Sequence, residues 1–341
     1  MMQPSRIPQE RLVQNKETYM RSAIIGYGNI AKLHAQVLSA QGHDIVAVCD
    51  NNENALQNAP GERHYTDYVQ MLDCERIDVV HICTPHYLHA QMIIDALSRN
   101  INVLCEKPLC IREEDIPRIL EAEKNSKAQL GVCLQNRYNA VNRSVKAYLE
   151  GKKSVCGTAS VTWYRDAAYY ASGAWRGKWD TEGGGVLINQ ALHTLDLVQW
   201  FVGMPEELRA SISCMTLSEN IEVEDTAVIL AGPPNSGFTF YATNGGATDC
   251  PVELTLRADG EWVKVMPKDV LYGNRHEHFD DVALALGKAC YGSSHGALIA
   301  DFYDCVLTGR HFEIDGCESA KVVRLVLAAY RSQGKAEAVT K

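Results

Sequence analysis

From residue 21 onward, short apolar runs alternate with stretches in which apolar residues recur every three or four positions. The runs are typical of buried strands and the stretches of amphipathic helices, so their alternation predicts βαβ units around a parallel sheet. Near-continuous Val and Ile favour strands that are buried on both faces, as in a doubly wound sheet. The predicted strands are SAIIG, DIVAVCD, DVVHICTP, INVLCEKP and AQLGVCLQ, and the predicted helices are 30–39, 52–59, 87–99 and 112–127.

The pattern changes after residue 140. A helical stretch at 140–150 is followed by strand-like runs that are separated by turn residues, which favours an antiparallel sheet. One helix is predicted within this series at 186–202, and helical periodicity over 276–309 and 317–333 indicates helices that cover one face of the sheet. We therefore expect three parts, an amino-terminal tail at 1–20, a parallel-sheet domain at 21–140 and a second α/β domain at 141–341.

Composition narrows the classes of function. The 33 Lys plus Arg against 42 Asp plus Glu give a formal net charge of −9, without the concentrated basic face that nucleic-acid binding requires. No uninterrupted apolar stretch approaches the ~18 residues of a membrane span. The twelve cysteines form no CxxC pair and many lie in apolar runs, which indicates reduced core residues. The tail has no apolar segment of the secretory kind, so we expect a cytoplasmic protein that binds neither nucleic acid nor membrane.

The first predicted strand runs directly into GYGNIA, residues 26–31. Its GxGxxA spacing predicts a dinucleotide-binding turn, because Gly26 permits a tight turn, Gly28 lets the backbone approach a pyrophosphate, and Ala31 allows close helix packing. The helix that follows supplies free N–H groups for the phosphates. The cofactor residues predicted in this turn are Gly26, Tyr27, Gly28, Asn29 and Ile30.

Asp50 stands at the end of the second predicted strand, in the position where dinucleotide-binding folds carry an acidic residue. A carboxylate there accepts hydrogen bonds from both hydroxyls of an adenine ribose and repels a 2′-phosphate. NAD is therefore expected, and NADP is the less favoured cofactor. The alternative is that Asp50 only ends the strand in a turn.

Two further motifs carry chemistry. Glu106-Lys107-Pro108 follows a predicted strand, and strands of a doubly wound sheet point their carboxyl ends at the ligand crevice, so Lys107 is expected to face the reactive end of the cofactor. The alternative is a solvated lysine at an exposed strand end. The motif GGGVLINQALHTLD at 183–196 places Asn189 and His193 four residues apart on one predicted helix face. This second motif favours a functional role for Lys107 over a solvated one.

Together these motifs resemble those of the glucose–fructose oxidoreductase, inositol dehydrogenase and MocA family of NAD(P)-dependent oxidoreductases, over nearly the whole chain from Arg21. The resemblance implies an NAD-binding Rossmann domain at 21–140. It implies at 141–341 a substrate-binding α/β domain with a large, open, predominantly antiparallel sheet, through which a homodimer or homotetramer assembles. The matching segments are GYGNIA, TPHYLHAQMIIDAL at 84–97, EKPL at 106–109, QNRYN at 135–139, the 183–196 motif and the closing segment at 301–332.

In that family the lysine of EKP and the histidine of the second motif act on a secondary alcohol of a sugar or polyol, and the matching residues are Lys107 and His193. A neutral imidazole is suited to take the hydroxyl proton, and the Lys107 ammonium to stabilise the developing alkoxide. The family commonly has Asp where this chain has Asn189. An amide cannot accept a proton, so Asn189 is expected to position the substrate or to orient His193. Asp196 could support the catalytic residues from behind or be an ion-pair partner on the helix face, and we favour the ion pair.

Aromatic residues and arginines are dense in WYRDAAYYASGAWRGKW, residues 163–179. Aromatic faces stack on the C–H surfaces of sugars, and Arg and Tyr donate to hydroxyl or carboxylate groups, so this segment is predicted to be a substrate loop. Each residue could instead pack internally or lie in a subunit interface. The substrate-contact candidates are Tyr164, Arg165, Tyr169, Trp175 and Arg176 of this loop, Asn136 and Arg137 of QNRYN, and Asn189 and His193.

The segment HICTPHYLH contains three His and one Cys, but its spacing matches no common zinc pattern, and no metal is expected. In the family the TP pair and the later histidine lie beside the cofactor. This implies that the NAD site is also lined by Thr84, Pro85, His89, Glu106 and Lys107.

We expect a dehydrogenase or reductase that uses NAD to interconvert a secondary hydroxyl and a ketone on a sugar, glycoside, sugar acid or polyol. Two alternatives remain open. Oxidation of a glycoside at C3 acidifies the neighbouring C–H bond, so the same residues could cleave glycosides while NAD is recycled. The chain could also be a non-enzymatic NAD-binding regulatory protein, although intact Lys107, His193 and Asp50 disfavour this.

Overall fold

A computed structural model describes residues 19–232, 237–280 and 294–339 of the chain. In its first part, strands alternate with helices, as the hydrophobic pattern predicts. The strands are β1 (Arg21–Ile25), β2 (Asp44–Cys49), β3 (Arg63–Tyr65), β4 (Val79–Ile82), β5 (Asn102–Cys105) and β6 (Leu130–Val132). The helices are α1 (Asn29–Gln41), α2 (Glu53–Leu56), α3 (Tyr68–Cys74), α4 (His89–Ser98) and α5 (Asp115–Asn125).

These six strands form one parallel sheet in the order β3-β2-β1-β4-β5-β6. The strand order reverses between β1 and β4, so the loops after these two strands diverge and open a crevice at the carboxyl end of the sheet. All four residues of β4 are buried, as expected for a strand that is covered on both faces. The predicted doubly wound sheet is confirmed.

Two elements of this part escaped the sequence prediction. The three residues of β3, Arg-His-Tyr, are exposed or half-buried and carry no hydrophobic run. The seven residues of α3 begin after Asp67, whose carboxylate caps the helix by accepting hydrogen bonds from the backbone N–H groups of Val69 and Gln70. Both elements are too short for periodicity to reveal them.

A second sheet follows, with helices before, within and after it. Its strands are β7 (Val155–Thr162), β8 (Glu207–Ser213), β9 (Thr226–Ala231), β10 (Phe238–Thr243), β11 (Glu253–Ala258), β12 (Glu261–Val265), β13 (Asp269–Tyr272), β14 (Arg275–His278) and β15 (Glu337–Ala338). The helices are α6 (Ala140–Leu149), α7 (Ala167–Ala171), α8 (Leu192–Val202), α9 (His295–Thr308) and α10 (Gly316–Ser332). In the described part of the chain, no helix combines the length and apolarity that a membrane crossing needs.

The nine strands lie in the order β14-β13-β12-β11-β7-β10-β9-β8-β15, and only β7 and β10 pair in parallel. The expected large and predominantly antiparallel sheet is confirmed. Helix α8 packs against β7, and α10 packs against β8, so the helices cover one face. The other face is open and apolar in places, and we call it the open face. Its large exposed side chains, which are 39% to 53% exposed, include Val228, Leu230, Tyr241 and Trp262.

Two predicted helices are shorter in the structure. The helix expected at 186–202 begins at Leu192, because Gly183 and Gly184 take positive φ angles of 85° and 144° and the chain forms turns up to α8. The segment expected to be helical from 276 begins with β14 instead. There His276 and His278 both lie 2.8 Å from Asp269 Oδ1 across the strand pair, which holds them in a sheet. The rest of that prediction at 281–293, and the tail at 1–18, lie outside the described residues.

A buried ion pair joins the end of the first sheet to the helices of the second. Arg137 lies in a short 3-10 turn after β6 and is 4% exposed. Its guanidinium donates to both carboxylate oxygens of Asp196 in α8, at 2.7 and 2.5 Å, and to Glu318 in α10 at 2.8 Å. The prediction that Asp196 is an ion-pair partner is therefore confirmed.

Replacing Asp196 with Ala leaves the buried guanidinium without its bidentate partner. We expect the free energy of unfolding to fall by about 3–5 kcal/mol, measured by urea denaturation followed by circular dichroism. As a control, Asp73→Ala removes the exposed partner of Arg99 and should cost less than about 1 kcal/mol. Equal losses of unfolding free energy in the two variants would contradict the larger contribution expected of the buried ion pair.

Candidate active site

The glycine turn lies between β1 and α1, at the carboxyl end of the first sheet. Gly26 adopts a φ of +83°, and a Cβ there would lie 2.8 Å from Thr84 Cγ2 and 3.0 Å from the backbone of Cys83. Gly28 is the N-cap of α1, and a Cβ on it would meet nothing within 4 Å. Ala31 is fully buried against the sheet. No side chain caps the first amides of α1, so these N–H groups are available to phosphate groups.

Asp50 follows β2 directly and faces this turn. Its carboxylate accepts hydrogen bonds from the backbone N–H groups of Tyr27, at 2.7 Å, and Asn52, at 2.8 Å. Asp50 is therefore a turn residue and also a neighbour of the dinucleotide turn, so its two interpretations are compatible. Each carboxylate oxygen has a further lone pair for a donor such as a ribose hydroxyl. At the start of α1, Asn29 is exposed and Ile30 is half-buried.

Thr84 and Pro85 follow β4 and are half-buried beside the glycine turn. His89, in contrast, is fully buried. Its ring nitrogens lie 2.7 Å from the carbonyl oxygen of Pro108 and 2.9 Å from that of Thr84. Because a carbonyl oxygen faces each ring nitrogen, His89 lies between the loop after β4 and the loop after β5 and does not offer a free nitrogen to a cofactor.

Lys107 follows β5 and is half-buried at the crevice. Its Nζ donates to the backbone carbonyl of Asn189 at 3.0 Å and to the side-chain Oδ1 of the same residue at 2.8 Å. Burial lowers the pKa of Lys107 to about 8, although the negative charge of Glu106 acts in the opposite direction. The alternative of a simply solvated lysine is excluded by this environment.

Asn189 is available to Lys107 because α8 begins only at Leu192. Inside a helix, the carbonyl of Asn189 would accept the N–H of His193, whereas here it accepts Lys107 Nζ. Asn189 Nδ2 in turn donates to Glu182 Oε1 at 2.5 Å. Lys107, Asn189 and Glu182 therefore form a continuous chain of hydrogen bonds, and Asn189 holds Lys107, not His193.

His193 lies in the first turn of α8 and lines the same cavity as Lys107. Its Nε2 lies 3.4 Å from Gln135 Nε2, and its Nδ1 has no hydrogen-bond partner among the described residues. Burial and then the nearby Lys107 lower the pKa of His193 to about 3. The imidazole is therefore neutral at neutral pH.

Aromatic and polar side chains of the predicted substrate loop form one wall of this cavity. The guanidinium of Arg165 lies 5.2 Å from the ring centre of Trp163 and 5.3 Å from that of Tyr169, and its Nη1 donates to Asp249 at 2.9 Å. The Tyr169 hydroxyl accepts hydrogen bonds from Arg176 at 2.7 Å and from Gln190 at 3.0 Å. The predicted substrate residues that line the cavity are Asn136, Arg165, Tyr169, Asn189 and His193.

The other predicted substrate residues lie outside this lining. Tyr164 is half exposed, and Trp175 packs on His86 with ring centres 4.7 Å apart. Arg176 supports Tyr169 from outside the cavity. Arg137 is held by the carboxylates of Asp196 and Glu318 beside a separate groove of about 960 Å³. Its role is therefore to join structural elements rather than to contact substrate.

Glu106 is buried behind Lys107 and faces the interior. One carboxylate oxygen lies 3.0 Å from His34 Nε2 and 3.3 Å from His295 Nε2, and the other accepts the backbone N–H of Lys107 at 3.2 Å. With Cys133, Glu106 and His34 place atoms of metal-ligand type within 4.8 Å of one another. Hydrogen bonds already engage Glu106 and His34, and the expected absence of a metal stays a prediction.

Sequence reasoning missed several residues of the site. Glu182 directly precedes the three glycines of the second motif, and a carboxylate in that place was the only local signal for its role. Gln190 accepts a hydrogen bond from Asn244 at 3.0 Å, which fixes its side chain at the cavity. Trp163 also lines the cavity; it begins the predicted substrate loop but was not among the chosen candidates. No local signal marks the remaining lining residues, Thr194 and Val252.

Comparison with known proteins gives relatives of nearly full length. The chain is 24% identical to a D-glucoside 3-dehydrogenase of Escherichia coli K12, over 86% of this chain and 97% of that enzyme. Its fold is similar to that of the WlbA dehydrogenase of Bordetella pertussis, solved in complex with NADH and UDP-GlcNAcA, with a TM-score of 0.83 and 28% identity over 95% of this chain and 99% of that one.

An inositol 2-dehydrogenase of Salmonella typhimurium is 32% identical over 128 residues, which cover 35% of this chain and 38% of that enzyme. Against that relative, the match therefore spans less than half of either protein.

Two family models match the chain. The oxidoreductase family with an NAD-binding Rossmann fold matches residues 20–134, and the GFO/IDH/MocA C-terminal domain matches residues 153–260. The first match contains the glycine turn and Lys107, and the second contains Asn189 and His193. Together the matches cover more than half of the 341 residues. The chain therefore belongs to the GFO/IDH/MocA family of oxidoreductases.

Proposed function

We propose that the chain is an NAD-dependent dehydrogenase or reductase that interconverts a secondary hydroxyl and a ketone on a sugar, glycoside, sugar acid or polyol. The observation that carries this proposal is the convergence of Lys107 and His193 on one cavity at the carboxyl end of the first sheet. The relatives support it, because two are dehydrogenases of a glucoside and of inositol, and a third was solved with NADH and UDP-GlcNAcA.

The cavity wall supports a carbohydrate as the substrate class. The rings of Trp163 and Tyr169 offer apolar faces for C–H surfaces. The side chains of Arg165, Asn136 and Gln190 offer donors and acceptors for hydroxyl groups. A sugar or polyol presents both kinds of surface in alternation.

The residues of the glycine turn and Asp50 fit NAD. Open space in front of Gly28 and the uncapped start of α1 leave room for a pyrophosphate. Asp50 beside Tyr27 would meet the adenine ribose, where its carboxylate repels a 2′-phosphate and so favours NAD over NADP. When NAD is bound, its nicotinamide accepts the hydride.

The hydroxyl must lose its proton as the hydride leaves. The resemblance assigns this proton to His193 and the stabilisation of the alkoxide to the Lys107 ammonium. A His193 pKa of about 3 argues against that division, because an imidazolium would have to form in a buried site beside Lys107. We assign to the neutral His193 the task of orienting the substrate by a hydrogen bond.

We also propose that the protein forms a homodimer or homotetramer through the open face of the second sheet. A row of exposed apolar side chains on a sheet is a common protein contact surface. We further propose a cytoplasmic location, because all described cysteines are free thiols and six of them are buried.

The function is tested by following NADH absorbance with a panel of polyols, free sugars, uronates and glycosides, with glycoside cleavage measured in parallel. We expect substrate-dependent NADH formation. Lys107→Ala and His193→Ala should each lower it by about 100-fold or more while NADH binding persists, because Lys107 acts on the reacting hydroxyl and His193 orients the substrate. The exposed Lys124→Ala is the matched control and should keep wild-type rates.

Unchanged turnover in either site variant would remove the proposed roles. Glycoside cleavage without net NADH would favour the alternative in which NAD is recycled. Saturable NAD binding without turnover of any substrate would favour the regulatory alternative.

Cofactor binding is tested at the two glycines of the turn. Gly28→Ala should weaken NADH binding without loss of thermal stability, because its Cβ meets no protein atom but enters the space for the pyrophosphate. Gly26→Ala should weaken NADH binding and also lower thermal stability, because a Cβ there meets Thr84 and the backbone of Cys83 at a positive φ. Fluorescence titration and thermal denaturation measure the two effects. Unimpaired binding in Gly28→Ala would contradict the assignment of the turn.

Assembly is tested with the double variant Leu230→Glu and Trp262→Glu, which places charges on the open face. Light scattering should show a smaller assembly than the wild type. Leu307→Glu is the matched control, since Leu307 in α9 is similarly exposed but lies away from this face. A wild-type mass in the double variant would contradict assembly through the open face.

A further inference from the structure

We propose that the neutral amine of Lys107, rather than His193, accepts the proton of the substrate hydroxyl, and that Glu182 acts through Asn189 to position that amine. This inference rests on the proposed dehydrogenase function and assigns the roles within its site. It follows from the hydrogen-bond chain from Glu182 through Asn189 to Lys107, and from the absence of charge on Asn189.

The geometry at Nζ directs a lone pair away from Asn189. A neutral amine has two N–H groups, and Asn189 supplies two acceptors, its carbonyl oxygen at 3.0 Å and its Oδ1 at 2.8 Å. Cε and the two engaged N–H groups fill three tetrahedral positions of the nitrogen, so the lone pair occupies the one that remains. Since Lys107 also lines the cavity, that lone pair is available to a hydroxyl bound there.

Glu182 determines which end of the Asn189 amide meets Lys107. Glu182 is fully buried, and its carboxylate accepts twice, from Asn189 Nδ2 through Oε1 and from the backbone N–H of Gly177 through Oε2. An ionised carboxylate can only accept, so the amide must turn its NH2 group to Glu182. Asn189 Oδ1 is thereby directed at Lys107, and Glu182 is a positioning residue.

The charges around Lys107 allow it to change protonation near neutral pH. Both hydrogen-bond acceptors of Nζ in the described structure are uncharged amide oxygens, so the ammonium has no carboxylate in direct contact. Burial lowers the pKa of Lys107 to about 8. The titratable and charged groups that face it are Glu106, Arg176, Glu182, His86, His89 and His193.

The proposed step is balanced without a further reactant. The hydride leaves the substrate carbon for NAD, the O–H bond breaks, and its electron pair forms the C=O bond. The proton passes to the lone pair of Lys107 Nζ, so the amine becomes an ammonium that later releases the proton to water. In the reverse direction the ammonium donates the proton to the ketone oxygen.

The first test is the pH dependence of kcat/KM for oxidation. Because only the neutral amine accepts a proton, kcat/KM should rise with pH through about 8 and then level off. A kcat/KM that falls above about 8 would show that the ammonium is the active form and would overturn the proposal.

Two variants separate a positioning role from a structural one. Asn189→Asp places a carboxylate beside Nζ and stabilises the ammonium. The rise of kcat/KM with pH should therefore move to higher pH by about one pH unit or more. Glu182→Gln removes a charge that raises the pKa of Lys107, so this rise should move to lower pH. Its amide keeps only one of the two oxygens that accept from Asn189 and from Gly177, so kcat should also fall by about tenfold. Glu222→Gln is the matched control: Glu222 is exposed and its backbone N–H donates to Gly177, so the variant should keep the wild-type pH profile of kcat/KM.

A titration without turnover completes the test. In cofactor-free protein labelled with ¹⁵N-lysine, the Nζ resonance absent from Lys107→Arg should titrate near 8, and in Asn189→Asp it should titrate at higher pH. Titration at the usual 10.5 in both proteins would overturn this inference while leaving a measured dehydrogenase activity intact. Failure to oxidise any substrate would instead remove the proposed function, and the titration would still report on the hydrogen-bond chain.

Discussion

The amine of Lys107 lies at the edge of the first sheet in a partly buried setting, and an amine there needs hydrogen-bond acceptors. The acceptors come from Asn189, in the turn before α8 that packs on the second sheet. This contact brings the two sheets together at the cavity. The turn before α8 and the first turn of α8, which carries His193, meet Lys107 at this cavity.

The glycines before Asn189 make this contact possible. A Cβ on Gly184 would collide with the Tyr330 hydroxyl, and one on Gly185 with the carbonyl of Glu224. The side-chain carboxylate of Glu224 accepts hydrogen bonds from the backbone N–H groups of Gly185, at 2.8 Å, and Leu187, at 3.0 Å. The turn is therefore held by the buried carboxylate of Glu224, which lies in the loop before β9, as Asn189 is held by Glu182. A cavity wall with so many fixed donors and acceptors is suited to orient a polyhydroxylated substrate.

Family resemblance identifies which residues meet in the cavity but not how protons are shared among them. An Asp beside Lys107 would stabilise the ammonium, whereas Asn189 leaves it without a direct counter-charge. One amide in place of one carboxylate therefore removes a charge that would raise the pKa of Lys107. Glu106, next to Lys107 in the chain, and Arg176 and Glu182, from a loop distant in sequence, also act on this pKa.

The sequence by itself determined the doubly wound sheet and the glycine turn with Asp50. These features depend on periodicity and on residues close together in the chain, where turn and helix geometry act locally. The pairing of Lys107 with the Asn189 and His193 motif, 82 residues away, was expected only from the family resemblance. Only the tertiary structure decided that α8 begins at Leu192 and that Arg137 is an ion-pair residue rather than part of the cavity lining. It also decided that Glu182 and Val252 belong to the site. Those outcomes depend on burial and on hydrogen-bond partners far away in the chain, which no local pattern of residues can specify.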